Sequence, residues 1–127
     1  MKKLFAILSF ALLSGCAGLT GLIPSFWDDN QSKISIDIRQ EINHLDCSQP
    51  HLPQIEKIQS KIEWFLLYSE SKQTKDVLKL LTPMSETVGD FYTRSKEKEG
   101  SEAYCNIKKK IMSAQAKLIA ETIHGRF

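Results

Sequence analysis

Residue types that often bind metals come close together at one point of the sequence. His44, Cys47 and His51 follow one another at spacings of three and four residues, which are possible for zinc. A structural zinc site needs four ligands, and no fourth cysteine or histidine lies in this stretch. We therefore interpret His44 and His51 as surface residues at a helix end, where a positive charge is mildly favoured, and expect no metal.

The usual signatures of catalysis are missing from the sequence. It contains neither Gly-x-Ser-x-Gly, the turn that presents a nucleophilic serine, nor Cys-x-x-Cys-His, the site of covalent haem. Acids alternate with lysines in stretches such as 96–99, a pattern typical of solvated helix faces and not of a paired general acid and base. We expect a protein that is not an enzyme and has no cofactor.

The first cysteine, Cys16, lies behind an apolar run near the N-terminus. The run covers residues 4–13, follows two lysines and contains Ser9 as its one polar residue. It is too short to span a bilayer, which needs about 20 apolar residues. Small Ser14 and Gly15 separate it from Cys16. This order of charged, apolar and small residues resembles the signal peptide and lipobox of bacterial lipoproteins.

That resemblance implies cleavage before Cys16 and acylation of its sulfur and its new amine, which together give a stable membrane anchor. Residues 1–15 would be the signal peptide, 16–27 the lipidated N-terminus with a short tether, and 28–127 the folded domain. In two-membrane bacteria an Asp after the lipidated cysteine commonly retains a lipoprotein in the inner membrane, and this chain has Ala17. The resemblance thus implies the inner leaflet of the outer membrane, facing the periplasm; a single-membrane host would change that location.

A periplasmic location also decides how the other two cysteines are interpreted. With Cys16 lipidated, Cys47 and Cys105 are the two that remain. An isolated pair in an oxidising compartment predicts a disulfide, whereas the same pair in the cytosol would suggest metal or redox chemistry. The lipobox resemblance therefore implies a Cys47–Cys105 disulfide.

Signal cleavage changes the charge of the chain as well. The 17 basic residues less the two lysines of the signal leave 15, equal to the 15 acidic residues. A nucleic-acid partner needs a basic face, which this balance argues against. The basic run at 108–110 is either a solvated helix face or a contact for an anionic polymer or an acidic partner.

Apolar residues recur at helical spacing through the rest of the chain. The first predicted helix covers about 30–46; its alternation at 34–38 would also suit a strand, but no second strand pattern exists to pair with it. The second helix begins near Pro53, the third covers about 74–97 across Pro83, and the fourth about 102–124. The residues expected on the apolar faces are Ile34, Ile38, Ile42, Leu45, Ile55, Ile58, Ile62, Phe65, Leu66, Val77, Leu80, Leu81, Met84, Val88, Phe91, Tyr104, Ile107, Ile111, Ala114, Leu118 and Ile123.

Four helices joined by short turns predict an all-α, up-down-up-down four-helix bundle. The apolar face keeps its phase across Pro83, which predicts one kinked third helix and not two helices that reverse direction. In this topology Cys47 and Cys105 lie at the same end, away from the lipid. A reversal at Pro83 would separate them by roughly 25 Å, too far for a disulfide.

An apolar run of five residues, 64–68, closes the second helix. Most of a wide apolar face is buried in a bundle, because each helix meets two neighbours. Trp64 and Leu67 are directed toward the opposite side, and with Tyr68 they are the candidate partner surface.

Two aromatic residues, Phe26 and Trp27, precede the first helix. They could lie at the level of the lipid headgroups, where aromatic rings are favoured. Alternatively, Trp27 plugs the base of the core, in keeping with the usual burial of tryptophan.

The chain as a whole resembles the small helical lipoproteins of uncertain role carried by Gram-negative bacteria and their phages. The specific likeness covers residues 1–18, and the remainder is a likeness of architecture. We expect an adaptor or accessory subunit of an envelope protein complex, which binds its partner through Trp64, Leu67 and Tyr68 or through the loops at the end away from the lipid. The alternative is an inhibitor, or a phage or plasmid exclusion factor, that binds and blocks an envelope protein.

Overall fold

The computed structural model describes residues 26–126, and within them the chain forms four helices and no strand. The helices are α1 (Asp29–His44), α2 (His51–Ser71), α3 (Lys75–Glu97) and α4 (Glu102–His124). The prediction of an all-helical fold with four helices is confirmed. The second helix begins slightly before Pro53 and continues to Ser71, so the polar residues that follow the apolar run 64–68 still belong to its last turn.

The signal peptide, the lipobox and Cys16 lie outside the described residues. In the part of the chain that is described, none of the helices is long and apolar enough to cross a membrane.

Side chains at the helix starts explain where α1 and α4 begin. The Asp28 carboxylate accepts a hydrogen bond from the Gln31 amide (3.0 Å), and the Ser101 hydroxyl accepts one from the Tyr104 amide (3.1 Å). Such caps satisfy amides that have no partner within the helix and contribute about 1 kcal/mol each. Helix α3 continues through Pro83 as one element.

Each helix packs against the helices next to it in sequence, and α1 also packs against α4. The apolar side chains between them form a core that includes Ile42, Ile55, Ile58, Ile62, Phe65, Leu81, Met84, Phe91, Met112 and Ile123, all fully buried. Burial of each large apolar side chain contributes about 1.5–3 kcal/mol. The result is a helical bundle in which the apolar stripes of all four helices meet.

A disulfide joins Cys47 to Cys105, as predicted, with Cα atoms 5.6 Å apart. Cys47 follows α1, Cys105 lies in the first turn of α4, and both are buried. The bond thus ties the connection between α1 and α2 to the start of α4.

The prediction for the core face of α4 is wrong at four of its six residues, while Ile123 is buried and Tyr104 packs against the core as expected. Ile107, Ile111 and Leu118 are exposed, and Ala114 is exposed with them. The residues of α4 that enter the core are Cys105, Met112, Ala116, Ile119, Ala120 and Ile123. The physical reason is the disulfide: Cys105 must face Cys47, and this sets the rotation of the whole helix. Ile107 and Ile111 therefore lie on the other side of the helix.

Two further interpretations of single residues are also wrong. Trp27 does not plug the core, since it is half exposed and packs against the His124 ring, with the ring centroids 5.8 Å apart. His51 is not a surface residue: it is buried at the start of α2.

Candidate functional site

The predicted partner residues Trp64, Leu67 and Tyr68 lie together on the outer side of α2. Trp64 is 46% exposed and Leu67 is 67% exposed, while Tyr68 is partly buried. The Trp64 and Tyr68 rings stack with centroids 4.9 Å apart and planes within 8°. We call these three residues the α2 platform. Its exposed part is an indole and a leucine side chain.

Tyr68 is held by the start of α1. Its hydroxyl donates a hydrogen bond to the Asp28 carboxylate at 2.9 Å and accepts one from the Asn30 side-chain amide at 3.0 Å. Because the same carboxylate caps α1, one residue fixes both the helix start and the platform. Tyr68 therefore positions Trp64, and its hydroxyl is already engaged.

The environment of Asp28 favours its ionised form. Burial by itself would raise the pKa of this carboxyl. Hydrogen bonds from the Gln31 amide and the Tyr68 hydroxyl, together with the charge of Lys72, outweigh that effect and hold the pKa below its ordinary value. The platform is thus attached to a carboxylate that stays charged at neutral pH.

A shallow groove lies between α1 and α2, beside the α2 platform. It has a volume of about 390 Å³ and is lined by Asn30, Lys33, Ile34, Asp37, Ser60, Lys61 and Trp64. Ile34 and Trp64 supply its apolar surface, and charged residues of both signs surround them. Protein interfaces commonly combine an apolar core with a polar rim, and the groove offers residues of both kinds.

A buried polar cluster at the same end of the bundle has no counterpart in the predictions. The Arg126 guanidinium donates hydrogen bonds to the Gln31 side-chain carbonyl (2.8 Å) and to the Asp76 carboxylate (2.8 Å). The Gln31 amide in turn donates to the hydroxyls of Thr74 (2.8 Å) and Ser69 (3.3 Å). We call these residues the polar clasp. It joins α1, the end of α2, the start of α3 and the segment after α4.

The polar clasp also holds the segment that precedes α1. Arg126 donates a further hydrogen bond to the Phe26 carbonyl at 3.3 Å. The one sequence signal for this cluster was a glutamine at a position of α1 that shares the face of Ile38 and Ile42. A polar residue on an apolar stripe needs a buried partner.

The opposite end of the bundle contains the disulfide and His51. The Nε2 atom of His51 lies 3.0 Å from the Cys47 carbonyl oxygen. The backbone amide of His51 donates a hydrogen bond to the Glu99 carboxylate at 2.7 Å. Glu99 thereby caps α2, which has no cap of its own. His44 is exposed, so the residues of the sequence cluster 44–51 do not meet around one point.

Among residues 26–126, no group of three or more histidine, cysteine, aspartate or glutamate side chains is arranged to hold a metal ion. No protein-family model matches the sequence, and no curated protein or solved structure matches it significantly. The fold and the site together define a disulfide-linked helical bundle with an exposed aromatic platform.

Proposed function

We propose that this protein is a non-enzymatic, lipid-anchored adaptor or accessory subunit of an envelope protein complex, and that it binds its protein partner through the α2 platform. The observation that carries the proposal is the exposed Trp64–Leu67 surface, in which Trp64 stacks on Tyr68 and Tyr68 is in turn bonded to Asp28. Tryptophan and tyrosine are enriched among residues that dominate binding energy. A side chain that is already fixed loses little conformational entropy when a partner binds.

The bundle has the up-down-up-down topology in this proposal, with α3 kinked at Pro83, which removes one backbone hydrogen bond from the helix. The tether from the lipidated Cys16 then reaches the bundle at the start of α1. The domain covers residues 28–127 and follows the tether at 16–27.

The position of the α2 platform favours a partner close to the membrane. Tyr68 contacts Asp28 and Asn30, at the α1 end that follows the tether. Phe26 and Trp27 are exposed at this same end, where aromatic rings would be favoured at the headgroup level. We therefore propose a partner that is itself embedded in the membrane or bound to its surface. Such a partner contacts the end of the bundle near the tether and not the end that carries the disulfide.

The test is photo-crosslinking of the full chain in its own membrane, with a photoreactive amino acid in place of Leu67. We expect one crosslinked envelope protein, identified by mass spectrometry, whose yield falls at least tenfold when Trp64→Ala is added. The matched control is Ile36→Ala, which removes another exposed apolar side chain, on α1, and should leave the yield unchanged.

Two results would contradict the proposal. One is the absence of a protein crosslink from position 67, and the other is a crosslink that Trp64→Ala and Ile36→Ala affect equally. If the captured protein is an enzyme or a receptor that loses activity when bound, the role is that of an inhibitor or exclusion factor.

A further inference from the structure

The outer side of α4 carries an apolar row that the bundle does not use. Ile107, Ile111 and Leu118 are 61%, 42% and 51% exposed, and Ala114 is exposed between them. Their spacing places the four side chains within about 60° of one another around the helix. We call these four residues the α4 stripe. Helix α4 packs in the core through its other side, so the fold of the bundle does not explain the α4 stripe.

The same helix carries the most positive charge. Of the four helices in residues 26–126, α4 alone has a net positive charge, with four lysines and two glutamates. Lys108 donates to the Asp90 carboxylate of α3 at 2.7 Å, and Lys109 donates to backbone carbonyls at the end of α1. The other two lysines, Lys110 and Lys117, are exposed along one edge of the α4 stripe.

One acid lies beside the α4 stripe and does not remove this charge. The Glu121 carboxylate is 3.7 Å from the Lys117 ammonium group, and their side chains are 61% and 64% exposed. Exposed pairs of this kind are weak, so Lys117 can bind another anion instead. A lysine also keeps its charge in the polar layer while its stem lies along apolar surface.

The tether reaches the bundle beside the C-terminal end of α4. Arg126, which follows α4, donates a hydrogen bond to the Phe26 carbonyl at 3.3 Å, and the Trp27 and His124 rings lie 5.8 Å apart. Phe26 and Trp27 are exposed there, and aromatic rings are favoured at the headgroup level. The ten residues from Cys16 to Phe26 reach at most about 35 Å, which keeps α4 close to the lipid.

We propose that the α4 stripe lies on the membrane, at the boundary between the headgroups and the acyl chains of anionic phospholipids. The apolar side chains would enter this boundary, while Lys110 and Lys117 pair with the phosphate groups. An apolar row beside lysines is typical of helices that lie in the plane of the interface. An acidic protein would also complement the lysines, but the exposed aromatic rings and the short tether at the same end of α4 favour lipid.

A small apolar area is enough for this contact, because the contact does not have to hold the protein in the membrane. The acyl chains on Cys16 do that, and a basic surface is a common second signal beside them. Attachment also raises the effective concentration of α4 at the lipid, which strengthens a weak contact. This step rests on the proposed lipid anchor.

The contact would lay the bundle along the membrane, with α4 beneath and the tether at one end. Helix α2 lies across the bundle from α4, because each of the two packs against α1 and α3. From the usual distance between packed helices, the α2 platform would stand about 20 Å above the lipid. It stays open to a protein partner, and a partner from the same membrane must extend that far to reach it.

The test is fluorescence quenching of the lipidated full chain in vesicles that contain no other protein. An environment-sensitive dye is attached to Ala114→Cys, in the α4 stripe, or to Glu63→Cys, an exposed position on α2. The vesicles contain phosphatidylethanolamine with about one third phosphatidylglycerol, and some lipids carry a quencher on the acyl chain. We expect the quencher to lower the emission at position 114 at least threefold more than at position 63, because α4 and not α2 contacts the lipid.

The charge dependence is tested by removing lysines in pairs. Lys110→Gln with Lys117→Gln should lower the quenching at position 114 at least twofold, and so should vesicles of neutral phosphatidylcholine. The matched control is Lys57→Gln with Lys79→Gln, which removes the same charge from exposed positions on α2 and α3. This control should leave the quenching unchanged.

Three results would overturn the proposal. The first is equal quenching at positions 114 and 63, and the second is an equal effect of the two lysine pairs. The third is shielding of position 114 in native membranes but not in the vesicles, which would mean that a protein covers the α4 stripe. Trp64→Ala should remove partner capture without changing the quenching, so the two surfaces are tested separately.

The lipid anchor is checked with the parent chain. With Cys16 acylated and Cys47 bonded to Cys105, no thiol is left to take up the dye, so dye on the parent chain would mean that the anchor is wrong. In that case Ala114→Cys is labelled in a Cys16→Ser chain and titrated with the anionic vesicles. Quenching there still decides whether the α4 stripe binds lipid.

Discussion

Replacing Arg126 by methionine tests whether the polar clasp holds the bundle together. The arginine side chain is 1% exposed. It donates hydrogen bonds to the Gln31 carbonyl, the Asp76 carboxylate and the Phe26 carbonyl. Methionine keeps most of the apolar stem but removes the charge and all three bonds. The Gln31 carbonyl then loses its buried donor.

The expected cost follows from these contacts. Hydrogen bonds to a charged group contribute about 1.5–3 kcal/mol each, and removal of one member of a buried ion pair costs about 3–5 kcal/mol. Because the Asp76 side chain is 24% exposed, water offsets part of that loss. We expect Arg126→Met to lower the free energy of unfolding by about 3 kcal/mol, which lowers Tm by more than about 10 °C in a domain of this size.

The assay is urea unfolding of the unlipidated chain 17–127, followed by far-UV circular dichroism. The matched control is Arg94→Met, since the Arg94 side chain is exposed and pairs with Asp90 one turn away on α3. Exposed pairs of this kind contribute less than about 0.5 kcal/mol. If the two variants differ by less than about 1 kcal/mol, the polar clasp does not stabilise this end of the bundle.

Three further predictions concern stability. Replacing Cys47 and Cys105 together by serine should lower the free energy of unfolding by about 4 kcal/mol, because the disulfide closes a loop of 58 residues; a loss under about 1 kcal/mol in urea unfolding would contradict this. The folded state lowers the pKa of Asp28 from 3.8, so the unfolded chain binds more protons near that pH, and stability should fall as the pH drops through 3.8 and below. Asp28→Asn should have a shallower decline in acid unfolding curves, and an identical decline would refute the assignment. Leu67→Ala should cost under about 0.5 kcal/mol, as expected of an exposed side chain, and a larger loss in urea unfolding would mean that Leu67 serves the fold.

Much of the fold could be predicted because its signals are local. The apolar spacing of α1, α2 and α3 leaves one choice of buried face, and Ile38, Ile62 and Val88 are buried as expected. The disulfide between Cys47 and Cys105 depended on one inference about compartment. Neither prediction needed to know how the helices pack against one another.

The rotation of α4 could have been derived from the same disulfide. Two apolar stripes compete on this helix, and size favours the one with Ile107 and Ile111. Once Cys105 is directed toward Cys47, however, residues 7, 14 and 18 positions later share its side of the helix. These are Met112, Ile119 and Ile123, which are buried.

The polar clasp could not be derived in the same way. Arg126 follows the last helix and meets Gln31 across 95 residues of sequence, so no periodicity connects them. His51 is similar, since its burial depends on contact with Phe91 of α3, whose ring lies 5.8 Å away. In the candidate site, the exposure of Trp64 and Leu67 agrees with the helical pattern, whereas the engagement of Tyr68 by Asp28 depends on how α1 and α2 pack.

Intact-mass and peptide mass spectrometry of the chain purified from cells that express it tests the central proposal, a bundle attached by lipid, most directly. The proposal predicts that the chain begins at Cys16 and that this residue carries acyl groups on its sulfur and its amine. An unmodified Cys16, or a mature chain that begins at any other residue, would contradict it.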